Sequence, residues 1–357
     1  MAGDAAATTQ VPYADLVFEG GGVKGIGLAG AIATLEERGY VPQNVAGTSA
    51  GAISAALLAS GYSAGELREI IMALDYRAFQ DKAWEDKVPL IERSLSLLLD
   101  LGLYEGDYFL AWIRERLEAK GVRTFADLVH PDFADDPRFR SRLQVIASDV
   151  TTRELLVLPR DAHKLGIEPD ELDVALAVRM SMSIPVFFEP VRFENPKTGR
   201  THVIVDGGML SNYPVWLFDC EDGSVPDWPT FGLLLVEPKP SVPIGARLPK
   251  SSMDGSGPGA VVGYVKALAQ TMMEAHDRLY VEQANYARTI PIPTLGVGTT
   301  EFDLSPERAV ALFDSGRWAA EKFLAAWDFE AYIAEFRTGK EHSRRAALNA
   351  TLEAAKA

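Results

Sequence analysis

The sequence predicts an α/β protein with a mostly parallel central sheet and helices on its faces. Two strand–turn–helix units occur within the first sixty residues, which is the usual pattern of a parallel sheet. The 357 residues are 47% hydrophobic and 24% charged, a globular composition that excludes a largely disordered chain. Because no internal repeat or clear break divides the chain, we expect one domain with helical insertions over 13–330 and a helical tail over 331–357.

The first two units place a glycine-rich turn between a strand and a helix. The first unit has a short apolar strand, Asp15–Phe18, and a helix with apolar residues at helical spacing, Ile26–Glu37. The second has a strand at Asn44–Ala46 and a helix of small residues at Ala52–Ala59. Both turns are therefore expected to present their backbone at the ends of neighbouring strands.

The rest of the chain is predicted to alternate helices and strands. Residues 63–130 are predicted to be mostly helical, with a capping box at Ser63 and Glu66. Further strands are expected at Leu143–Ala147, Glu154–Leu158, Val203–Val205, Phe231–Val236 and Thr294–Val297. Further helices are expected at Val88–Leu103, Tyr108–Ala119, Leu172–Met180, Val261–Ala287 and from Pro306 onward. The segment Lys250–Gly259 is rich in serine and glycine and is expected to be mobile.

The charge balance and the single cysteine exclude several classes of protein. Lys and Arg total 35 against 50 Asp and Glu, a formal net charge of −15. Nucleic-acid binding relies on basic surface, so no nucleic-acid partner is expected. Cys220 alone cannot form an intrachain disulfide, and no Cys/His cluster suggests a metal, so no metal or cofactor is predicted. The amino terminus lacks a signal-like pattern and no apolar run approaches about twenty residues, which predicts a cytoplasmic protein that is at most peripheral to a membrane.

The first chemical motif is Gly47-Thr48-Ser49-Ala50-Gly51, which matches G-x-S-x-G. Between a strand and a helix, this pattern presents a serine hydroxyl on a sharp turn, and Gly47 and Gly51 leave room for the strained backbone. The following helix directs its amino-terminal amides towards a developing oxyanion. Ser49 is therefore a candidate nucleophile, and the alternative is a turn in which Ser49 only caps the helix.

The second motif is the turn Gly20–Gly25, with the sequence GGGVKG. Consecutive glycines let backbone N–H groups converge on an anion, and Lys24 adds a positive charge, so the turn suits a phosphate or an oxyanion. The Walker pattern fails because no Ser or Thr follows the lysine. Gly25, Gly27 and Gly30 form a G-x-G-x-x-G, which leaves a dinucleotide site open although no acidic residue ends the second strand. A glycine turn with close helix packing is the third alternative.

The third motif is Asp206-Gly207-Gly208, at the end of a predicted strand, where the alternative is a common Asp-Gly turn. A nucleophilic serine needs a base, and the chain has five histidines: His130, His163, His202, His276 and His342. His276 has the chain order of an α/β-hydrolase triad, which keeps a Ser–Asp–His triad open. In the other interpretation Asp206 takes the Ser49 proton directly, helped by a desolvated site that raises its pKa.

These three motifs, in this order, resemble those of the patatin-like phospholipases, and the resemblance covers 13–217. Residues 102–107, 177–190 and 212–214 also resemble family segments. The resemblance implies a three-layer α/β/α sandwich rather than the α/β-hydrolase fold, with Ser49 as the nucleophile and Asp206 as its only partner. It implies an oxyanion hole formed by the glycine turn, with Lys24 at the family's Arg or Lys position. The backbone amides implied are those of Gly20, Gly21 and Gly22.

The function implied by this resemblance is hydrolysis of a phospholipid or lysophospholipid ester through an acyl-enzyme, without metal or cofactor. Such a substrate implies transient contact with a membrane surface. An acyltransferase or thioesterase would use the same acyl-enzyme, and a dinucleotide-binding protein or a catalytically silent lipid-binding protein belongs to another class. The apolar segments Val88–Leu103 and Val261–Met273 are candidates for lining or covering the acyl site, with burial in the core as the alternative.

Overall fold

The computed structural model of the protein describes residues 12–74, 106–185, 187–220, 224–237, 272, 283–299, 301 and 303–337. These residues contribute eight strands to one sheet: β1 (Tyr13–Phe18), β2 (Val41–Thr48), β3 (Leu143–Asp149), β4 (Glu154–Leu158), β5 (Val191–Glu194), β6 (Thr201–Asp206), β7 (Thr230–Val236) and β8 (Thr289–Pro293). The α-helices they contribute are α1 (Ile26–Glu37), α2 (Ala50–Ala59), α3 (Ala64–Met72), α4 (Asp107–Ala119), α5 (Val174–Ser181), α6 (Gln283–Ala287), α7 (Pro306–Leu324) and α8 (Phe329–Phe336).

The sheet is mixed, with a parallel part and an antiparallel part. Its order is β5-β6-β3-β2-β1-β7-β8, and β4 pairs with β3 off this path. Strands β3, β2, β1, β7 and β8 are parallel, whereas β4, β5 and β6 pair antiparallel. The predicted α/β class is confirmed, and the carboxyl ends of the parallel strands meet at one edge.

Both faces of the central strands β1 and β3 are buried, as their largely apolar sequences predict. Along β1, Leu16 and Phe18 belong to the larger core, whereas Val17 belongs to a second apolar cluster. Helix α3 begins with the predicted capping box, in which the Ser63 hydroxyl accepts the Glu66 N–H. Among the described helices, none is long and apolar enough to cross a bilayer.

The strand predicted at Thr294–Val297 is wrong. Strand β8 ends at Pro293, and the chain then turns through Leu295 and Gly296, whose φ angles are 53° and 76°. The prolines within Thr289–Pro293 argue against a central strand. They are tolerated because, among the described strands, β8 lies at the edge of the sheet and pairs with β7 alone.

Two further differences from the predicted elements, at the start of α5 and at strand β5, have local causes. Helix α5 begins at Val174 rather than Leu172, because the Asp173 carboxylate caps it by accepting the Leu176 N–H at 2.8 Å. Strand β5 was not predicted, since its four residues are half-buried or exposed and carry no clear apolar run.

The G-x-G-x-x-G glycines serve helix packing rather than a dinucleotide. Gly27 and Gly30 lie inside α1, where that helix packs on α7. A Cβ atom on Gly30 would lie 1.9 Å from the Phe313 carbonyl oxygen, and one on Gly316 would lie 1.9 Å from the Gly27 carbonyl oxygen. The two backbones approach too closely for any side chain at these positions. Gly30 therefore has an explanation in helix packing, which supports the third alternative over a dinucleotide site.

Several predicted features lie outside the described residues. They are Val88–Leu103, residues 102–105, Lys250–Gly259, most of Val261–Ala287 and residues 338–357. The division into 13–330 and 331–357 stays a prediction. Helix α8 crosses that boundary, and Tyr332 within it is buried.

Candidate active site

Ser49 lies on the sharp turn between β2 and α2. Strand β2 ends at Thr48 and α2 begins at Ala50, so Ser49 occupies the N-cap position of the helix. Its φ of 54° and ψ of −127° are rare for a residue with a side chain. The Ser49 side chain makes no capping hydrogen bond, so the alternative of a simple helix cap does not apply.

Gly47 and Gly51 allow this turn because helix and strands approach closely there. A Cβ atom on Gly47 would lie 2.3 Å from the Gly51 carbonyl oxygen. A Cβ atom on Gly51 would lie 2.5 Å from the Phe18 carbonyl oxygen at the end of β1. Helix α2 therefore contacts the end of β1, and this contact brings Ser49 beside the turn that follows that strand.

The glycine turn after β1 lies directly against Ser49. A Cβ atom on Gly20 would lie 3.0 Å from the Ser49 Cβ and 3.1 Å from the Thr48 carbonyl oxygen. Gly22 has a φ of +57°, and a Cβ atom there would lie 2.1 Å from the Thr299 carbonyl oxygen. Both positions therefore require glycine, for space at Gly20 and for space and backbone conformation at Gly22.

The three glycine amides of this turn differ in their hydrogen bonding. The Gly20 N–H donates to the Asn212 carbonyl at 3.2 Å, so it is engaged within the protein. Across the described part of the chain, the Gly21 and Gly22 N–H groups have no acceptor. The turn thus offers two free amides, where the sequence suggested three.

Lys24 belongs to the same turn and is buried. Its Nζ lies 3.8 Å from the carboxylate of Glu237, which follows β7. The lysine charge is therefore balanced by an acid from the neighbouring strand end, and it still adds a positive charge near the glycine amides.

Asp206 reaches Ser49 through the register of the sheet. Thr48 at the end of β2 pairs with Ile146 of β3, and Asp206 at the end of β6 pairs with Ala147. Ser49, the residue after Thr48, therefore lies at the same level as Asp206 on the other side of β3. Two residues far apart in sequence meet at one edge because β3 lies between their strands.

The Asp206 carboxyl is fully buried and retains unused hydrogen-bonding capacity. Oδ1 accepts the Gly208 N–H at 2.7 Å, and Oδ2 has no partner among the described residues. Burial raises the pKa of Asp206 to about 7, and the nearby Ser49 hydroxyl and the Gly208 amide limit that rise. A carboxyl with a pKa in this range can exchange a proton near neutral pH.

The Ser49 hydroxyl is directed towards Met182. Its Oγ donates to the Met182 Sδ at 3.7 Å, a weak hydrogen bond to sulfur. The hydroxyl is still close enough to Asp206 to influence the pKa of that carboxyl, although it is not aligned on Oδ2. Turning the hydroxyl from Met182 to Oδ2 would complete a Ser49–Asp206 pair, and such tightening on substrate binding is common.

Asn212 holds the glycine turn in place, and the sequence alone did not assign it this role. Besides accepting the Gly20 N–H, it donates through Nδ2 to the Gly20 carbonyl at 3.2 Å and to Glu19 Oε1 at 3.3 Å. These bonds tie the loop after Asp206 to the turn after β1. The feature of the sequence that could have indicated this role is the resemblance of residues 212–214 to a family segment.

A second group that sequence reasoning missed lies at the end of α5 and just after it, at Ser181 and Ser183. The Ser49 N–H donates to Ser181 Oγ at 2.9 Å, and the Asp206 N–H donates to the Ser183 carbonyl at 2.9 Å. Both candidate residues are therefore anchored to one short stretch of chain. In the sequence, residues 177–190 resemble a family segment, but this resemblance does not show which residues Ser181 and Ser183 contact.

No hydrogen bond joins a described histidine to Ser49. His202 lies on β6 and its Nδ1 is 2.6 Å from Asp149 Oδ2, with both side chains buried. Burial raises the pKa of Asp149, but the hydrogen bonds from His202 and two threonines outweigh it and leave that pKa below its ordinary value. His130 and His163 bond to backbone groups near them in sequence. Two histidines lie outside the described residues: His276 and His342. Within the described ranges, no cluster of His, Cys, Asp and Glu could hold a metal ion.

A family model matches the part of the chain that contains the three motifs. The family model described as Patatin-like phospholipase matches residues 16–219. An uncharacterized protein of Bacillus subtilis, YqhO, is 39% identical over 317 residues, which is 89% of this chain and 100% of that protein. An uncharacterized NTE family protein of Mycobacterium tuberculosis is 29% identical over 199 residues, which is 56% of this chain and 27% of that protein.

A solved structure has the same fold at low sequence identity. The crystal structure of VipD from Legionella pneumophila superposes with a TM-score of 0.52 at 21% identity. The match covers 88% of this chain and 67% of that chain. The shared architecture thus extends beyond the segment matched by the family model.

Proposed function

The chain belongs to the patatin-like phospholipase family, and from that premise we propose that it cleaves carboxylic ester bonds of phospholipids or lysophospholipids. In this proposal Ser49 is the nucleophile, Asp206 is the general base and then the general acid, and the Gly21 and Gly22 amides bind the oxyanion. The observation that carries the proposal is the sheet register, in which Ser49 and Asp206 flank β3 at one level beside the glycine turn.

The first step is transfer of the Ser49 proton to Asp206. An aspartate with an ordinary pKa of 3.8 is a weak base near neutral pH, whereas burial raises the pKa of Asp206 to about 7. Oδ2 is the acceptor, since Oδ1 already accepts the Gly208 amide. As the proton moves, Ser49 Oγ attacks the ester carbonyl carbon and the carbonyl oxygen becomes an oxyanion.

The glycine turn stabilises the negative charge that develops on that oxygen. The Gly21 and Gly22 N–H groups have no acceptor in the described structure, so they can donate to the oxyanion without losing another bond. Donors fixed in advance in a buried site stabilise a transition state more than mobile solvent does. The buried Lys24 adds positive charge to the same turn.

The tetrahedral intermediate collapses when Asp206 returns its proton to the leaving alcohol. The acyl group stays on Ser49 Oγ as an ester until a water molecule, deprotonated by Asp206, attacks its carbonyl carbon. The bond to Ser49 Oγ then breaks, Asp206 returns the proton to Oγ, and the fatty acid is released. Ser49 is fully buried and its hydroxyl contacts Met182, so an ester reaches it only when neighbouring side chains move. Lipid substrates would be met at a membrane surface, which the protein contacts transiently in this proposal.

The test is release of fatty acid from lysophosphatidylcholine micelles and phosphatidylcholine vesicles, with a fluorophosphonate probe to label the nucleophile. We expect the wild-type protein to release fatty acid and to be labelled on Ser49. Ser49→Ala should do neither, whereas the control Ser60→Ala, a buried serine at the end of α2, should match the wild type. Labelling at another residue, or equal release by Ser49→Ala, would contradict the proposal. Transfer of the acyl group to added glycerol in preference to water would identify an acyltransferase.

A further inference from the structure

We propose that Ser181 is a positioning residue for the nucleophile, and this inference rests on the function proposed for Ser49. The Ser181 side chain does not touch a substrate in this proposal. It holds the backbone of Ser49, and through it the direction of Oγ, in the turn that the reaction requires.

The Ser181 hydroxyl bridges two parts of the molecule, and both of its functions as donor and acceptor are in use. It donates its proton to the Ile146 carbonyl of β3 at 2.6 Å. It accepts the Ser49 N–H at 2.9 Å, and both serines are fully buried. Because a hydroxyl has a single proton, donation to Ile146 leaves a lone pair as the only group that can face the Ser49 amide. The bridge therefore has one orientation.

The Ser49 turn needs such a constraint. A φ of 54° with a ψ of −127° is a sparsely populated conformation for serine, and it persists only where the surroundings enforce it. As the N-cap residue, Ser49 has no acceptor for its N–H within the helix it begins. Without the Ser181 oxygen, that amide would be buried without a partner, and the turn would relax to find one.

Ser183, two residues after Ser181, contacts the second candidate catalytic residue, Asp206. The Ser183 carbonyl accepts the Asp206 N–H at 2.9 Å. The Ser183 hydroxyl is bound by the buried Arg179 guanidinium at 2.6 Å. One rigid segment thus contacts the backbones of both candidate catalytic residues. Loss of the Ser181 hydroxyl should shift Ser49 relative to Asp206 and the glycine amides.

Ser60 provides a matched control for a merely structural role. It is also buried, and its Oγ donates to the Ala56 carbonyl at 2.7 Å, at the opposite end of α2. Ser60→Ala therefore removes a buried serine hydrogen bond from the same helix without affecting the turn. An effect on activity that is specific to Ser181 then comes from the bridge that its hydroxyl forms between Ile146 and Ser49.

The experiment compares Ser181→Ala, Ser60→Ala and the wild type by fluorophosphonate titration and by hydrolysis of a p-nitrophenyl ester. Titration gives the fraction of chains with a reactive Ser49, and the labelling rate gives the reactivity of each such site. For Ser181→Ala we expect a full fraction, a labelling rate and kcat lower by about 10- to 100-fold, and a KM within about twofold of the wild type. Ser60→Ala should match the wild type in all of these.

The outcomes separate this inference from the function on which it rests. A labelled wild type together with wild-type kcat and labelling rate in Ser181→Ala would overturn the role of Ser181 alone. So would a loss explained entirely by a smaller reactive fraction. An unlabelled and inactive wild type would overturn the proposed function and this inference with it. If Ser181→Ala does not fold, Ser181→Cys retains a small side chain with a weaker acceptor, and it should show a partial fall in labelling rate; an unchanged rate would overturn the role.

Discussion

Two buried aspartates at opposite ends of the sheet both have a raised pKa but differ in their surroundings. Asp15 lies near the start of β1, and Asp206 ends β6 beside the carboxyl ends of the parallel strands. Burial raises the pKa of each to about 7. By pKa alone, either carboxyl could exchange protons in a reaction near neutral pH.

The difference lies in what surrounds each carboxyl. Asp15 Oδ1 accepts the Asn44 N–H at 3.0 Å, and the Trp228 side chain donates a further hydrogen bond, so the group is held by structural donors. Asp206 keeps Oδ2 without a partner among the residues that the structure describes, beside the Ser49 hydroxyl. A raised pKa therefore shows only that a carboxyl group is buried. A free carboxylate oxygen beside a candidate nucleophile is what distinguishes Asp206 from Asp15.

The largest expected effect comes from exchanging each aspartate for asparagine. Asp206→Asn should lower kcat/KM for ester hydrolysis by at least about 10³-fold, as Ser49→Ala should, because the serine proton then has no base. Asp15→Asn removes an equally buried carboxyl with a similar pKa and should leave kcat/KM within about twofold of the wild type. Equal losses in the two asparagine variants, measured on folded protein by circular dichroism, would remove the distinction between the two edges.

A second prediction concerns the free Gly21 and Gly22 amides, which lie at the same end of the sheet as Asp206. Gly22→Ala places a methyl group against the Thr299 carbonyl at a φ of +57° and should lower kcat by about 10²- to 10³-fold, as loss of an oxyanion donor does. Gly61 also has a positive φ, +89°, but nothing lies within 4 Å of a Cβ atom there. Gly61→Ala carries similar backbone strain and should keep wild-type kcat. Full activity in Gly22→Ala would mean that the turn has no part in catalysis.

The pH profile sharpens the comparison further. Asp206 must lose its proton to act as a base, so kcat/KM should rise with pH and level off above a midpoint near 7. At pH 5, two units below that pKa, activity should be about 100-fold below the plateau. Asp15→Asn should leave the midpoint unchanged. A midpoint that moves in this variant would show that the titration belongs to Asp15.

The smallest expected effect is on the pH dependence of the free energy of unfolding, to which Asp15 should contribute. Its pKa is about 7 when folded and near 3.8 in the unfolded chain, so the folded state binds its proton more tightly. That stabilisation is complete below pH 4 and is lost as the pH rises through 7. Between pH 5 and pH 8 the free energy of unfolding of Asp15→Asn should therefore fall less than that of the wild type, by roughly 1–3 kcal/mol. Urea unfolding at the two pH values measures this, and parallel changes in both proteins would contradict it.

Prediction from sequence succeeded where the signal was local. The glycine turns after β1 and β2 were visible in the sequence, and the structure explains three of their glycines: a Cβ atom on Gly47 or Gly51 would collide with backbone, and Gly22 has a positive φ. Prediction failed where the deciding contact came from elsewhere in the chain. For Gly27 and Gly30 the sequence could not choose between a nucleotide motif and helix packing, and only the approach of the α7 backbone explains the glycine at Gly30. The sequence placed the last strand at Thr294–Val297 because the prolines of Thr289–Pro293 argue against a central strand. The sheet order shows that β8 is an edge strand, where prolines are tolerated.

The sequence by itself determined the α/β class, the strand–turn–helix setting of Ser49 and the turn composition that frees backbone amides, since glycine content and apolar periodicity act over a few residues. The tertiary structure alone decided that Asp206 meets Ser49 across β3, that Gly20 is engaged by Asn212, and that Ser181 supports the turn. It also decided the pKa of Asp206. Desolvation and the choice of hydrogen-bond partner depend on which distant segments of the chain pack together. The local sequence around each residue does not specify those long-range contacts.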